Sequence, residues 1–231
     1  MCIRDSLDEA KQALDDASII AEEGMLPAQW WIVRLLRLML QNLVGASLWQ
    51  SLPVFFDPTS IVFLDQYIRL LAFSSPPVIE LWASQRAALS MALNPTNRGG
   101  VINLRTSAGK TRVAELAILQ TLSIDPTAKI IYLAPFRSLA FEMERTLSSS
   151  FHWLGFRVSH LYGGSRVSRV DTELVSESSI IIATPEKARA LFRSAPELFI
   201  NMKLIVIDEG HLLGPSERYV RNELFIDHLR L

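Results

Sequence analysis

The feature that most constrains the fold is a set of short apolar runs in the second part of the chain. They are VINL, KIIYLA, FRVSHLY, SIIIAT and KLIVID, at residues 101–104, 129–134, 156–162, 179–184 and 203–208. Their apolarity is continuous rather than alternating, which indicates strands covered on both faces, as in a parallel sheet. Helix-like segments separate the runs. The chain from Pro77 onward is therefore expected to form a doubly wound α/β domain.

The N-terminal part carries a helical pattern instead. Over residues 7–24 apolar side chains recur at three- to four-residue spacing, which predicts an amphipathic helix that stops near Gly24; they are Leu7, Ala10, Leu14, Ala17, Ile20 and Ala21. A second helix is expected to open at Pro27, and a third to span about 61–73. We therefore predict a helical accessory region at 7–75 and an α/β domain at 76–231. The first six residues, MCIRDS, resemble a scar of sequence assembly and are left out of this prediction.

Composition excludes some classes of protein. The segment from Trp30 to Trp49 is long and apolar, but it contains Arg34 and Arg37, each costing about 2.5–3.5 kcal/mol at a bilayer centre. A buried helix of a soluble protein is expected there, with no membrane span. The single cysteine, Cys2, excludes an internal disulfide framework and favours the cytoplasm. The net charge of −1 gives no overall positive field that would indicate a nucleic-acid partner, although a groove can still be locally basic.

Polar motifs follow the apolar runs, where a parallel sheet binds its ligands. The loop LRTSAGKT, residues 104–111, ends like a phosphate-binding loop and precedes a helix, but Leu104 stands where that motif has its first glycine. KLIVID ends in Asp208 and Glu209. An aspartate after a strand suits a Mg²⁺–water ligand, and the next glutamate can orient or deprotonate an attacking water. Together the two motifs favour a nucleotide site over a chance Gly-Lys-Thr and a solvated strand end.

Six motifs occur in order over about residues 77–231. They are ELWASQRAAL, RTSAGKTRVAEL, APFRSLAFEM, YGGS, ATPEKA and DEGHLLG. This set resembles the first RecA-like motor domain of superfamily 2 helicases, and its DEGH box is most similar to the superkiller-type branch, which includes bacterial members. In that branch the loop commonly reads Ala-Pro-Thr-Ser-Ala-Gly-Lys-Thr, so a leading glycine is not required; here Leu104 and Arg105 replace Ala-Pro. The resemblance implies a P-loop NTPase fold that uses ATP and Mg²⁺.

The resemblance also implies a role for individual residues of the nucleotide site. Lys110 would neutralise the β- and γ-phosphates, Thr111 and Asp208 would hold Mg²⁺, and Glu209 would place the attacking water. Backbone amides would approach the phosphates along Thr106, Ser107, Ala108 and Gly109. Gln85 would read the edge of adenine, because a side-chain amide offers both a donor and an acceptor.

Residues after the other runs resemble the helicase track for nucleic acid. Hydroxyls, backbone amides and helix N-termini that touch phosphates give sequence-independent binding; the residues are Pro135, Arg137, Ser138, Gly163, Gly164, Thr184, Pro185 and Glu186. Lys187 and Arg189 would add positive charge to this track; the alternative is that each only forms part of a solvated helix face. His211 would couple the hydrolytic site to the neighbouring motor domain.

Motors of this family hydrolyse ATP between two RecA-like domains, the second of which supplies arginine to the transition state. No second motor domain follows here, so the resemblance implies a fragment that is a weak ATPase alone. The expected function is the ATP-binding half of a helicase or translocase acting on DNA or RNA. The alternative is a non-hydrolysing interaction module whose N-terminal helices dock a protein partner. A third interpretation, an unrelated P-loop kinase or GTPase, is disfavoured because it does not explain the presence of the TPEK and DEGH motifs.

Overall fold

The structure is a computed structural model. It describes residues 3–94, 99–105, 108–161 and 166–210, together with 220, 223–225 and 227. Gly163, Gly164 and His211, and also Thr106 and Ser107, lie outside the described residues.

A parallel sheet forms the centre of the α/β part. Its strands are β1 (Lys129–Leu133), β2 (Val158–His160), β3 (Ile180–Ala183) and β4 (Met202–Ile207), in the spatial order β2-β3-β1-β4. Each adjacent pair is parallel, and Tyr132 of β1 lies opposite Ile182 on one side and Val206 on the other. The α/β fold class and the strands within four of the predicted runs are therefore confirmed.

The fifth predicted strand, VINL, is a correction. Residues 101–104 have irregular backbone, and Val101 is 85% exposed. A strand exists only where its backbone groups pair with a neighbour, and among the described residues β4 is paired with β1 alone. Apolarity identified a segment that leads into the phosphate-loop motif, but pairing decides whether such a segment becomes a strand.

Helices cover both faces of this sheet. They are α5 (Ala83–Ala92), α6 (Lys110–Ile124), α7 (Arg137–Phe151), α8 (Arg169–Glu177) and α9 (Pro185–Ser194). Ile130 and Tyr132 pack on one face with residues of α5, α6 and α7, whereas Ile131 and Leu133 pack on the other with residues of α8 and α9. Successive strand side chains point to opposite faces, so continuous apolarity along β1 supplies both clusters.

The N-terminal part is helical, as predicted. Its helices are α1 (Ile3–Glu23), α2 (Pro27–Ala46), α3 (Leu48–Ser51) and α4 (Ile61–Ala72). Helix α1 begins at Ile3, before the expected start, because the backbone of 3–6 continues the helical hydrogen-bond pattern. Ile20 is also a correction: it is 66% exposed, since α1 packs on α2 through the side that contains Ala17 and Ala21.

Helix α2 is not the buried helix that its composition suggests. Trp31, Leu35 and Met39 are all more than half exposed, and only Ala46 in α2 is buried. The helix packs on α1 through one narrow side, and its opposite side is exposed in the part of the chain that the structure describes. Among the described residues, no helix combines the length and apolarity that a membrane crossing requires.

Helix α4 belongs to the same apolar cluster as the sheet. Leu64, Tyr67 and Ile68 are buried together with Leu116 and Leu119 of α6. The core therefore extends across the chain position, residue 75 to 76, at which we divide the helical region from the α/β domain. Helix α4 consequently packs directly behind the helix that starts at Lys110.

Candidate functional site

The N-terminus of α6 has the local geometry of an anion site. Lys110 begins the helix and Gly109 precedes it with φ of +76°, a left-handed conformation that favours glycine. A Cβ atom at Gly109 would clash with Nε2 of Gln85, so a larger residue there would displace that side-chain amide. The first amides of a helix and its dipole favour negative charge. Ala108 and Gly109 are half-buried beneath this end.

Gln85, the predicted adenine reader, holds the loop in this structure. Its Nε2 donates to the carbonyl of Gly109 at 3.2 Å, and its Oε1 accepts from the backbone N–H of Trp82 at 2.8 Å. The Ser84 hydroxyl donates to the carbonyl of Ala108 at 3.4 Å. Gln85 is only 7% exposed. An adenine base would therefore have to exchange with backbone partners to use this amide.

Asp208 lies directly after β4, and both of its carboxylate oxygens are hydrogen-bonded. Oδ1 accepts from the backbone N–H of Glu209 at 2.8 Å, and Oδ2 accepts from the hydroxyl of Tyr132 at 2.9 Å. The backbone N–H of Asp208 also donates to the carbonyl of Leu133, which continues the ladder between β1 and β4. The position of Asp208 is thus set by β1 through both backbone and side chain.

Sequence reasoning missed Tyr132. The available signal was a tyrosine inside an apolar strand, because a buried tyrosine hydroxyl usually has a hydrogen-bond partner. Burial raises the pKa of the Tyr132 hydroxyl, and the negative charge of Asp208 raises that pKa further. Tyr132 is therefore a protonated donor toward Asp208.

Glu209 and Lys110 meet at the carboxyl end of the sheet. Nζ of Lys110 lies 3.6 Å from Oε1 of Glu209, and the two side chains are 36% and 30% exposed. Glu209 has φ of +50°, a left-handed conformation uncommon for a residue with a side chain. The tertiary fold thus brings the Gly-Lys-Thr motif and the Asp-Glu pair together.

The arrangement fits a magnesium ion that is shared with phosphate. Mg²⁺ in proteins takes oxygen ligands, commonly one or two carboxylates completed by water and substrate phosphates. Asp208 offers a carboxylate and Thr111, in the first turn of α6, offers a hydroxyl. The described part of the chain contains no group of three or more His, Cys, Asp or Glu side chains that could hold a metal by themselves.

A second polar network joins the helical region to α6. The Tyr67 hydroxyl donates to Oε2 of Glu115 at 2.6 Å, and Arg112 donates to the oxygens of both Tyr67 and Glu115. Glu115 is 2% exposed. Burial raises the pKa of Glu115, and the Arg112 guanidinium and the Tyr67 hydroxyl only partly oppose that rise. Sequence reasoning also missed this network, in which Arg112 directly follows Thr111 in the chain.

The residues predicted to follow the nucleic-acid track begin two helices at the same edge of the sheet. Pro135, Arg137 and Ser138 follow β1, and Arg137 and Ser138 are exposed. Thr184, Pro185 and Glu186 follow β3. Thr184 is buried, with 8% of the residue exposed, and its hydroxyl accepts from the backbone N–H of Lys187 as the N-cap of α9.

Lys187 does not lie on a solvated helix face. It is 2% exposed, and its Nζ donates to Oδ2 of Asp171 at 2.8 Å and to the carbonyl of Arg166 at 2.7 Å. Burial acts to raise the pKa of Asp171, but hydrogen bonds from Lys187 and Ser168 outweigh it and lower that pKa. Lys187 of α9 therefore points inward and is joined to α8 through Asp171.

Comparison with known proteins agrees with this geometry. Residues 82–230 match the family model described as DEAD/DEAH box helicase. The chain is 41% identical over 227 residues to the Hachiman protein HamB of Bacillus cereus, a match that covers 98% of this chain and 20% of HamB. It is 32% identical over 152 residues to the ATP-dependent DNA helicase Hel308 of Pyrococcus horikoshii, covering 66% of this chain and 20% of Hel308. The chain thus spans about a fifth of the length of these relatives.

A solved structure is similar in fold. The DUF1998 helicase MrfA bound to DNA and AMPPNP aligns with a TM-score of 0.53 and 24% identity, over 70% of this chain and 22% of MrfA. This likeness confirms the RecA-like α/β fold. Because the family model spans the motif-bearing part of the chain from residue 82 to residue 230, this chain belongs to the DEAD/DEAH box helicases of superfamily 2.

Proposed function

We propose that the chain is the ATP-binding half of a nucleic-acid-dependent ATPase, a helicase or translocase that hydrolyses ATP to move on or unwind DNA or RNA. The observation that carries this proposal is the approach of Lys110 to Glu209 at 3.6 Å. It unites a lysine at a helix N-terminus with the acidic pair after β4 in one site. A positive helix end beside two carboxylates suits a phosphate chain and its metal ion.

Lys110 has the central part in nucleotide binding. In the structure its ammonium neutralises Glu209, and a triphosphate would compete with that carboxylate for the same charge. Backbone amides at the start of α6 and the turn at Gly109 would receive the phosphates, with Ala108, Ser107 and Thr106 before them. Gln85 would read adenine after exchanging its backbone partners.

Asp208 and Thr111 are the residues that would hold Mg²⁺. When bound, this ion would neutralise the developing charge on the phosphates. Glu209, released from Lys110 by the nucleotide, would orient the attacking water. Because Tyr132 and the Glu209 amide both donate to Asp208, that carboxylate is already fixed at the sheet edge.

The nucleic acid would bind along the starts of α7 and α9. Arg137 and Ser138 are exposed at the first turn of α7, where a side-chain charge, a hydroxyl and backbone amides favour phosphate. Such contacts read no base and suit a motor that moves along any sequence. In support, MrfA was solved with DNA and AMPPNP bound, and Hel308 is named as a DNA helicase.

The division of the chain and its partners are also part of the proposal. Residues 76–231 would form the motor domain, and a second RecA-like domain would supply the arginine for the transition state and would meet His211. Residues 7–75 would form the accessory region. The exposed apolar side of α2 favours a protein partner for that region, which is the basis for the alternative of a non-hydrolysing scaffold.

The test is nucleotide binding by calorimetry with Mg²⁺ present. Lys110→Ala should remove most of the affinity for ATP, because it deletes the charge that would face the phosphates. Lys203→Ala, which removes an exposed lysine of β4, is the matched control and should bind as the unchanged chain does. Equal affinity in both variants would contradict the nucleotide site. Binding without hydrolysis, even with nucleic acid and the second motor domain added, would favour the scaffold alternative.

A further inference from the structure

Tyr132 connects the core of the sheet to the acidic pair. It lies on β1 and is 2% exposed, packed with Ile130 and Ile182 in the cluster on the α6 side of the sheet. It lies opposite Val206 of β4, and Asp208 is two residues farther along the chain, directly after the end of that strand. Alternate residues share a face of the sheet, so Asp208 follows on the Tyr132 side. The tyrosine side chain is long enough to extend from its position opposite Val206 to Asp208, and its hydroxyl donates to Oδ2 of Asp208 at 2.9 Å.

Two bonds at opposite oxygens define the plane of the Asp208 carboxylate. The Glu209 amide holds Oδ1 at 2.8 Å and the Tyr132 hydroxyl holds Oδ2. A carboxylate has about four lone-pair positions, so acceptor capacity remains on both oxygens. The Glu209 amide is part of the local chain, whereas the Tyr132 hydroxyl is anchored in a different strand. Only the second bond ties the carboxylate to the rigid sheet.

We propose that Tyr132 is a positioning residue that holds the Asp208 carboxylate in the orientation required by the Mg²⁺–nucleotide complex. This inference rests on the proposed function, because it assigns Asp208 to the metal. When a group that hydrogen-bonds to a metal-ligating side chain is removed, the affinity for the metal typically falls about 10- to 100-fold. Mg²⁺ keeps several of its waters in protein sites, so an effect near the lower limit is expected.

The experiment compares ADP binding in Mg²⁺ with ADP binding in EDTA, by calorimetry on the full chain. Tyr132→Phe removes one hydroxyl and keeps the ring that fills the core. Its half-saturating Mg²⁺ concentration should rise about ten-fold, whereas binding of ADP in EDTA should stay unchanged. A hydroxyl that merely stabilises the fold would lower the melting temperature and leave the Mg²⁺ dependence unaltered.

Tyr67→Phe is the matched control. It also removes a buried tyrosine hydroxyl, but that hydroxyl bonds to Glu115 rather than to Asp208. Its Mg²⁺ dependence should equal that of the unchanged chain. In an Asp208→Asn background, Tyr132→Phe should add no further change, because the carboxylate it positions is gone. An equal shift in the Tyr67 variant, or a full additional shift in the Asn background, overturns the inference.

The outcomes separate the two proposals. If the unchanged chain binds Mg²⁺–ADP and Tyr132→Phe binds it identically, the role of Tyr132 is wrong and the nucleotide site stands. If the unchanged chain binds no nucleotide, the proposed function is wrong, and the role of Tyr132, which depends on it, is wrong as well. Should Tyr132→Phe not fold, 3-fluorotyrosine placed at position 132 gives a second measurement. Its ¹⁹F resonance should shift when ADP is added with Mg²⁺ but not with EDTA, and the lack of that difference overturns the inference.

Discussion

The ammonium of Lys110 and the carboxylate of Glu209 form an ion pair, with Nζ and Oε1 separated by 3.6 Å. A single ammonium group cannot pair closely with this carboxylate and with the phosphates of a nucleotide at the same time. Nucleotide binding and the Lys110–Glu209 pair are therefore expected to compete. Glu209 would thus have two states, paired with Lys110 before binding and available to water afterwards.

The competition predicts that Glu209→Gln strengthens nucleotide binding while it lowers ATP hydrolysis. Both partners are about a third exposed, and exposed ion pairs contribute roughly 0.2–1 kcal/mol, so a gain in affinity of between about 1.4-fold and about five-fold is expected at low salt. Calorimetry with ADP measures it, and added salt should shrink the gain. Glu177→Gln, which removes an exposed carboxylate paired with Arg157, should leave the affinity unchanged. Weaker binding in Glu209→Gln would contradict the competition.

Gly109→Ala is predicted to destabilise the chain more than Gly155→Ala. Both glycines have positive φ, +76° and +86°, so an alanine costs about 1–2 kcal/mol at either position. Of the two, the new Cβ would meet a side chain at Gly109, whereas at Gly155 no atom of the described residues lies within 4 Å of it. Overpacking adds about 1–3 kcal/mol. Urea unfolding of both variants measures the difference, and Gln85→Ala in the Gly109→Ala background should recover part of it. Equal losses of stability would show that the contact with Gln85 is easily relieved.

The buried carboxyl of Glu115 predicts a pH dependence of stability. Burial raises its pKa above the ordinary value of 4.5. Between 4.5 and the higher pKa of the folded state, the folded chain holds a proton that the unfolded chain has released, so the free energy of unfolding falls as pH rises. Glu115→Gln removes this titration. The stability of the unchanged chain relative to this variant should therefore decline from acid toward neutral pH, as measured by urea unfolding at several pH values. A rise over that window would contradict the prediction.

Local patterns in the sequence determined much of the fold and of the candidate site. The runs that contain β1 to β4 are recognisable because a strand covered on both faces must be apolar throughout. Gly109, Lys110 and the Asp208–Glu209 pair are recognisable because a phosphate-binding helix end and a strand end need those residue types in that order. These properties depend on neighbours in the chain, and a sequence displays them directly.

Tertiary structure alone decided which side chains lie together and which are covered. Tyr132 is one apolar-strand residue among several until β4 brings Asp208 to its hydroxyl, and Lys187 is a surface charge until α8 places Asp171 beside it. Among the residues that the structure describes, the run 101–104 lacks a pairing partner and α2 lacks a cover for most of its apolar surface. Pairing and burial are relations between segments far apart in sequence. Their free energy comes from the partner, which the residue type by itself does not specify.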